Sequence, residues 1–192
     1  MHLKADLNEL GARYLNLVVR VIQECPTVSL DVFGIRNQQM VYLFGRLTDN
    51  QRERVLEHTH AIFGDSCEAA LGDALARPLD EAEVGNCGLP EEFLLEAREL
   101  QFDMLACLRE EARRDVANAG VVFGIRDMQI IEALRDCTTS RLHRMSASNL
   151  FLRMTSAPAF YLLVQMVVAD TNNPSRLGIA GLGVLAYAGA TP

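Results

Sequence analysis

The sequence predicts an all-α protein made of two tandem copies of one small helical unit. Three observations carry this prediction. Apolar residues recur at steps of three and four through most of the chain. The strict apolar–polar alternation of a half-buried strand is almost nowhere present. Finally, Val32-Phe33-Gly34-Ile35-Arg36 returns letter for letter as Val122-Phe123-Gly124-Ile125-Arg126, ninety positions later. At the same offset Gln39 faces Gln129, Thr48 faces Thr138 and Arg54 faces Arg144. Each copy has a long apolar-periodic segment before it and a threonine-started segment after it.

Leu7, Leu10, Tyr14, Leu17, Val18 and Val21 form one stripe of a first helix, which Pro26 should end. Residues 28–33 read as a helical turn packed beneath it. Gly34 is placed to close that turn, because glycine takes the left-handed conformation without a Cβ clash. Ile35 then folds back on the apolar face, and Asn37 offers a side-chain oxygen to the next helix. Gly124, Ile125 and Asp127 repeat the corner in the second copy. A helix over 37–46 and another over 49–63 follow the first corner, with Thr48 and Gln51 resembling a capping box. Gly64-Asp65 should close the second of these, and residues 67–75 read as a further short helix.

Pro90-Glu91-Glu92 opens a long helix, since proline and acids suit a first turn. Its stripe is Phe93, Ala97, Leu100, Met104, Cys107 and Leu108, and it is expected to end near Asn118-Ala119-Gly120. Segments 127–135 and 138 onward follow the second corner, with Ser146-Ala147-Ser148-Asn149 as an interruption. The uniformly apolar run 159–169 must be buried inside the domain or under a partner chain. The organisation is therefore a first unit over 1–77, a linker over 78–89, a second unit over 90–169 and a glycine-rich apolar tail over 170–192.

With 192 residues, 49% of them hydrophobic, the chain is long enough to bury a sizeable core. The net charge of −7 argues against gripping nucleic acid by bulk electrostatics. The five cysteines are scattered and never form a Cys-x-x-Cys pair, which suits reduced thiols in a cytoplasmic protein. The first residues lack the apolar run of a signal peptide, and neither 159–169 nor 177–190 has the length of a spanning helix. No catalytic, metal or cofactor constellation is legible. His58 and His60 lie two apart on an expected helix and point to different faces. No nucleophile elbow or phosphate-cradling glycine loop is present, so no small-molecule substrate is implied. The carboxylates alternate with arginines at helical spacing, as solvated faces do.

The charge distribution is more informative. Residues 137–169 carry Arg141, Arg144 and Arg153 and no acid, whereas the first copy has Asp49, Glu53, Glu57 and Asp65 in the matching region. Segments 127–135 and 139–148 also have the lengths of a helix-turn-helix. Thr139, Ser140 and Arg141 at the start of its second helix would offer hydroxyls and a guanidinium to phosphates. Three arginines alone give weak, salt-sensitive binding, so tight affinity would need a DNA-binding partner.

The order of elements resembles the FlhD family, the non-catalytic subunit of a bacterial flagellar transcription activator. In the first copy the resemblance runs from Tyr14-Leu15-Asn16-Leu17 through Phe33-Gly34-Ile35 to Leu47-Thr48. In the second it runs from Val122-Phe123-Gly124-Ile125 to Thr138 and on to Ser148-Asn149-Leu150 and Arg153. It implies an α-helical dimer that joins a zinc-containing FlhC-like protein, the complex binding promoter DNA. Two departures matter. Two units stand where the family has one, so a homo-oligomer or an intramolecular pseudo-dimer is expected. Leu152 also occupies the position where some members carry a cysteine. A transcription-regulator subunit is the first expectation, and a helical assembly or chaperone protein of a secretion or motility system the alternative.

Overall fold

The computed structural model describes residues 3–35, 38–59, 66–76, 88–148, 152–154 and 158–169. Asn37, His60, Gly64, Asp65, most of the 78–89 linker and the 170–192 tail lie outside the described residues. The protein is all-α. In chain order the helices are α1 (Leu3–Glu24), α2 (Pro26–Phe33), α3 (Gln38–Phe44), α4 (Asp49–His58) and α5 (Ser66–Ala76). Then come α6 (Glu91–Arg114), α7 (Val116–Phe123), α8 (Met128–Arg135), α9 (Thr139–Ser148) and α10 (Pro158–Val168).

Local chemistry accounts for most boundaries. Pro26 sits in the first turn of α2, where its missing N–H costs nothing. Gly34 and Gly124 close α2 and α7 at φ of 65° and 68°, the left-handed conformation their corner requires. Thr48 and Gln51 form the expected capping box: the Gln51 amide donates to the Thr48 hydroxyl oxygen at 3.4 Å, and the Thr48 amide to the Gln51 side chain at 3.0 Å. Asp127 accepts from the Gln129 amide at 2.9 Å and starts α8.

Two boundaries differ from the sequence reading. The long helix expected from Pro90 to about Gly120 is in fact α6 and α7, broken at Asp115. The Asp115 carboxylate accepts from the Asn118 amide at 3.0 Å, so it caps a new helix instead of continuing the old one. Helix α4, expected to reach residue 63, stops at His58, and Thr59 turns into extended backbone with its side chain buried.

Helix α6 is the hub, packing on α1, α7, α8 and α9, while α1 packs on α2, α3, α4 and α6. Every residue of the two predicted stripes is buried, from Leu7 to Val21 on α1 and from Phe93 to Leu108 on α6. At the seam between α1 and α6, Arg13 meets Asp103 at 2.6 Å and Arg20 meets Glu96 at 2.7 Å. These pairs are about 40% exposed and contribute at most about 1 kcal/mol each. Each fully buried Leu or Phe of the stripes contributes roughly 1.5–3 kcal/mol, so apolar burial holds the seam and the ion pairs set its register.

The remaining helices cross over. α5 packs on α8, and α10 packs on α3 and α4. Phe160 of α10 is fully buried and stacks on Phe44 of α3 with centroids 6.0 Å apart. The apolar run 159–169 is thus largely covered from within the chain. One continuous core runs from Leu7 to Val167. Between α9 and α10 the chain passes the first corner, where the Met154 amide donates to the Phe33 carbonyl at 2.9 Å. The buried Tyr14 hydroxyl reaches the Leu152 carbonyl there at 3.4 Å.

Candidate partner-binding face

Helix α9 carries four of the five residues that the sequence singles out for DNA or partner contact, Thr139, Ser140, Arg141 and Arg144. Thr138 precedes it and accepts from the Arg141 amide at 3.2 Å, matching Thr48 ahead of α4. Leu142, Met145 and Ser146 face inward, where the buried Gln101 side chain donates to the Ser146 carbonyl at 3.3 Å. That leaves Thr139, Ser140, His143, Arg144 and Ala147 exposed on one outer face.

The three arginines of the expected basic patch have different surroundings. Arg144 is exposed on α9 and forms no ion pair with any described residue. Arg141 is half-buried, and its guanidinium donates to the Leu75 carbonyl at the C-terminal end of α5. It thereby satisfies a carbonyl that the helix end leaves open, on the favourable end of the helix dipole. Arg153 is exposed but lies at the first corner, with its stem against Gly34: a Cβ added there would sit 3.6 Å from the Arg153 Cδ. Thr139 is also engaged, its hydroxyl accepting from Arg109 at 3.2 Å. Gly34, Gly124 and Asp127 serve the corners as expected.

Sequence reasoning missed two members of this face. His143 lies flat on Phe102 of α6, centroids 3.9 Å apart and planes 15° from parallel. Beside it a cleft of about 330 Å³ is lined by Arg13, Arg98, Phe102, Asp103, His143 and Ser146, among others. Arg98, like Arg144, forms no ion pair with any described residue. A position-by-position comparison at the ninety-residue offset would have pointed to both, since Asn8 faces Arg98 and Glu53 faces His143.

Other chemistry is sparse among the described residues. No group of three His, Cys, Asp or Glu side chains is placed to hold a metal ion. Cys107 is buried, and desolvation, with the nearby Asp6 and Glu111 carboxylates, pushes its thiol up to about 11. Burial also raises the Cys137 thiol. Both are protonated at neutral pH and are poor nucleophiles. No described helix is long and apolar enough to cross a membrane. No family model, curated protein or solved structure matches the chain.

Proposed function

We propose that this chain is a non-catalytic subunit of a cytoplasmic transcription regulator, an internal pair of FlhD-like units that activates promoters through an FlhC-like DNA-binding partner. The observation that carries the reading is a contact between residues ninety positions apart, Arg13 and Asp103. Helix α1 lies on α6 there, and the two residues are equivalent under the repeat. A residue that meets its own counterpart is the mark of a two-fold contact. α5 packs on α8, and α10, its counterpart by offset, packs on α3 and α4. The matched left-handed glycines and the matched threonines before α4 and α9 support the same reading. One chain then supplies what two chains supply in the family it resembles.

A share of the DNA contact falls to the partner, because the net charge is −7 and Arg141 is engaged with α5. Co-expression with an FlhC-type protein, followed by light scattering with and without promoter DNA, tests the proposal. The expected result is a complex containing one copy of this chain for each pair of positions that FlhD units fill in the family. A particle unchanged in mass by the partner and by DNA would overturn it. Recovery of a secretion or motility component instead would favour a helical assembly protein, a reading that the acidic balance also suits.

A further inference from the structure

We infer that the doubled molecule presents a single nucleic-acid face, formed by α9 with Arg98 of α6, and that the equivalent face on α4 is closed to nucleic acid by charge. The inference rests on the internal-pair reading above. In a homodimer of identical units both faces would necessarily be the same. Here they have diverged, and at solvent-exposed positions. On α4 the outer residues are Asp49, Asn50, Glu53 and Glu57, all exposed, with Arg54 partly so. On α9 the matching residues are Thr139, Ser140, His143, Ala147 and Arg144. Three carboxylates on one helix, of which Asp49 is paired with Arg52, have thus become a hydroxyl, an imidazole and a methyl group on the other, while the arginine is kept in both.

The supporting long helices diverge in the same sense. Arg98 of α6 stands where α1 has Asn8, and Phe102, which carries the stacked His143, stands where α1 has Ala12. Of the acids beside the α9 face, Asp103 is neutralised by Arg13 at 2.6 Å, while Glu99 has a counterpart in Glu9 and does not distinguish the halves. Each of these differences removes a negative charge, adds a positive one or orients a ring donor. The differences on α4 and α9 are not required by the fold, since those positions are exposed and the helices pack through other residues. Arg98 and Arg144 make no ion pair with described residues, so binding phosphate would break no ion pair among them. Ser140 adds an exposed hydroxyl in the first turn of α9, where a helix N-terminus favours an anion. Guanidinium, imidazole and hydroxyl donors together suit a phosphodiester backbone, and the surface is too small and too polar for base reading by itself.

The test uses the full chain and a short fluorescent DNA duplex alone at low salt, read by anisotropy and by native mass spectrometry. The expected result is one duplex per chain. Arg98→Glu with Arg144→Glu should weaken binding at least about tenfold and flatten the log–log salt dependence by roughly 2, one step for each phosphate no longer neutralised. Grafting the whole face onto the first half, as Asn8→Arg and Ala12→Phe on α1 with Asp49→Thr, Glu53→His and Glu57→Ala on α4, should open a second site, giving two duplexes per chain. Failure of the wild-type chain to bind any duplex overturns the inference, as does binding indifferent to the arginine pair or a graft that folds yet still binds one. A wild-type chain that fails here but assembles with an FlhC-type partner separates this inference from the functional reading, which would then stand alone.

Discussion

Replacing Gly120 by alanine should destabilise the protein even though alanine is the better helix former. Gly120 lies inside α7, where alanine would gain about 1 kcal/mol from backbone propensity. A Cβ built on it would fall 2.8 Å from the Ile125 carbonyl oxygen, 2.9 Å from the Met128 Cε and 3.0 Å from the Ile131 Cδ1. The methionine tip can swing away, but the carbonyl cannot. Ile125 is held by its own amide, which donates to the Gly120 carbonyl at 2.9 Å, and the Gly124 amide donates to the same oxygen. Overpacking costs typically about 1–3 kcal/mol, and a 2.8 Å contact with a fixed backbone oxygen puts this site at about 2–3, so the net loss after the propensity gain should be about 1–2 kcal/mol. For a chain of this size that corresponds to a fall in Tm of roughly 3–6 °C. Gly72→Ala is the internal control. Its Cβ would sit 3.4 Å from the Ile130 Cδ1, an ordinary contact, so the propensity gain should survive and Tm should rise by about 1–3 °C. Thermal melts followed by helical circular dichroism read both variants. A Gly120→Ala protein as stable as Gly72→Ala would show that the corner is not tight and refute the argument.

Two further outcomes follow from burial. Phe160→Ala should cost about 3–5 kcal/mol, because the ring is fully buried against Phe44; a loss under about 1 kcal/mol in chemical denaturation would mean that α10 does not hold the two halves together. Cys107 should make stability fall at high pH. Its thiol titrates near 11 in the fold against an ordinary 9.0, so its contribution is complete below pH 9 and is lost as pH rises from 9 through 11, by up to about 2.7 kcal/mol. Unfolding midpoints of wild type and Cys107→Ala across that range should converge, and parallel curves would sink the claim.

Much of the fold is legible without coordinates because its signals are local. The α1 and α6 stripes, the glycine at each corner and the Thr48–Gln51 box each depend on residues within a turn or two of one another. The break at Asp115 is harder to see because no proline marks it. Asp115 could have continued α6, and its capping bond to Asn118 competes with the helix by a margin that periodicity does not register. Its counterpart, Cys25, precedes Pro26, so the repeat itself held the missing signal.

The candidate face was legible only in part. Arg144 is where its helical position puts it, on the open side of α9. Arg141 and Arg153 are long, flexible cations that bind whatever acceptor or surface the fold brings within reach, and nothing near them in the chain names the end of α5 or the Gly34 corner. The stacking of His143 on Phe102 joins two helices forty-one positions apart and has no local signature.

From the amino acids alone came the helices, their apolar faces and the ninety-residue repeat, since a helix is specified by the spacing of its own residues. Which helix lies on which was decided only by tertiary packing. The crossing of α5 to α8 and of α10 to α3 and α4 buries apolar faces that are chemically interchangeable. Hydrophobic burial is nondirectional, so the partner is chosen by shape and chain reach and not by any pattern readable along the chain.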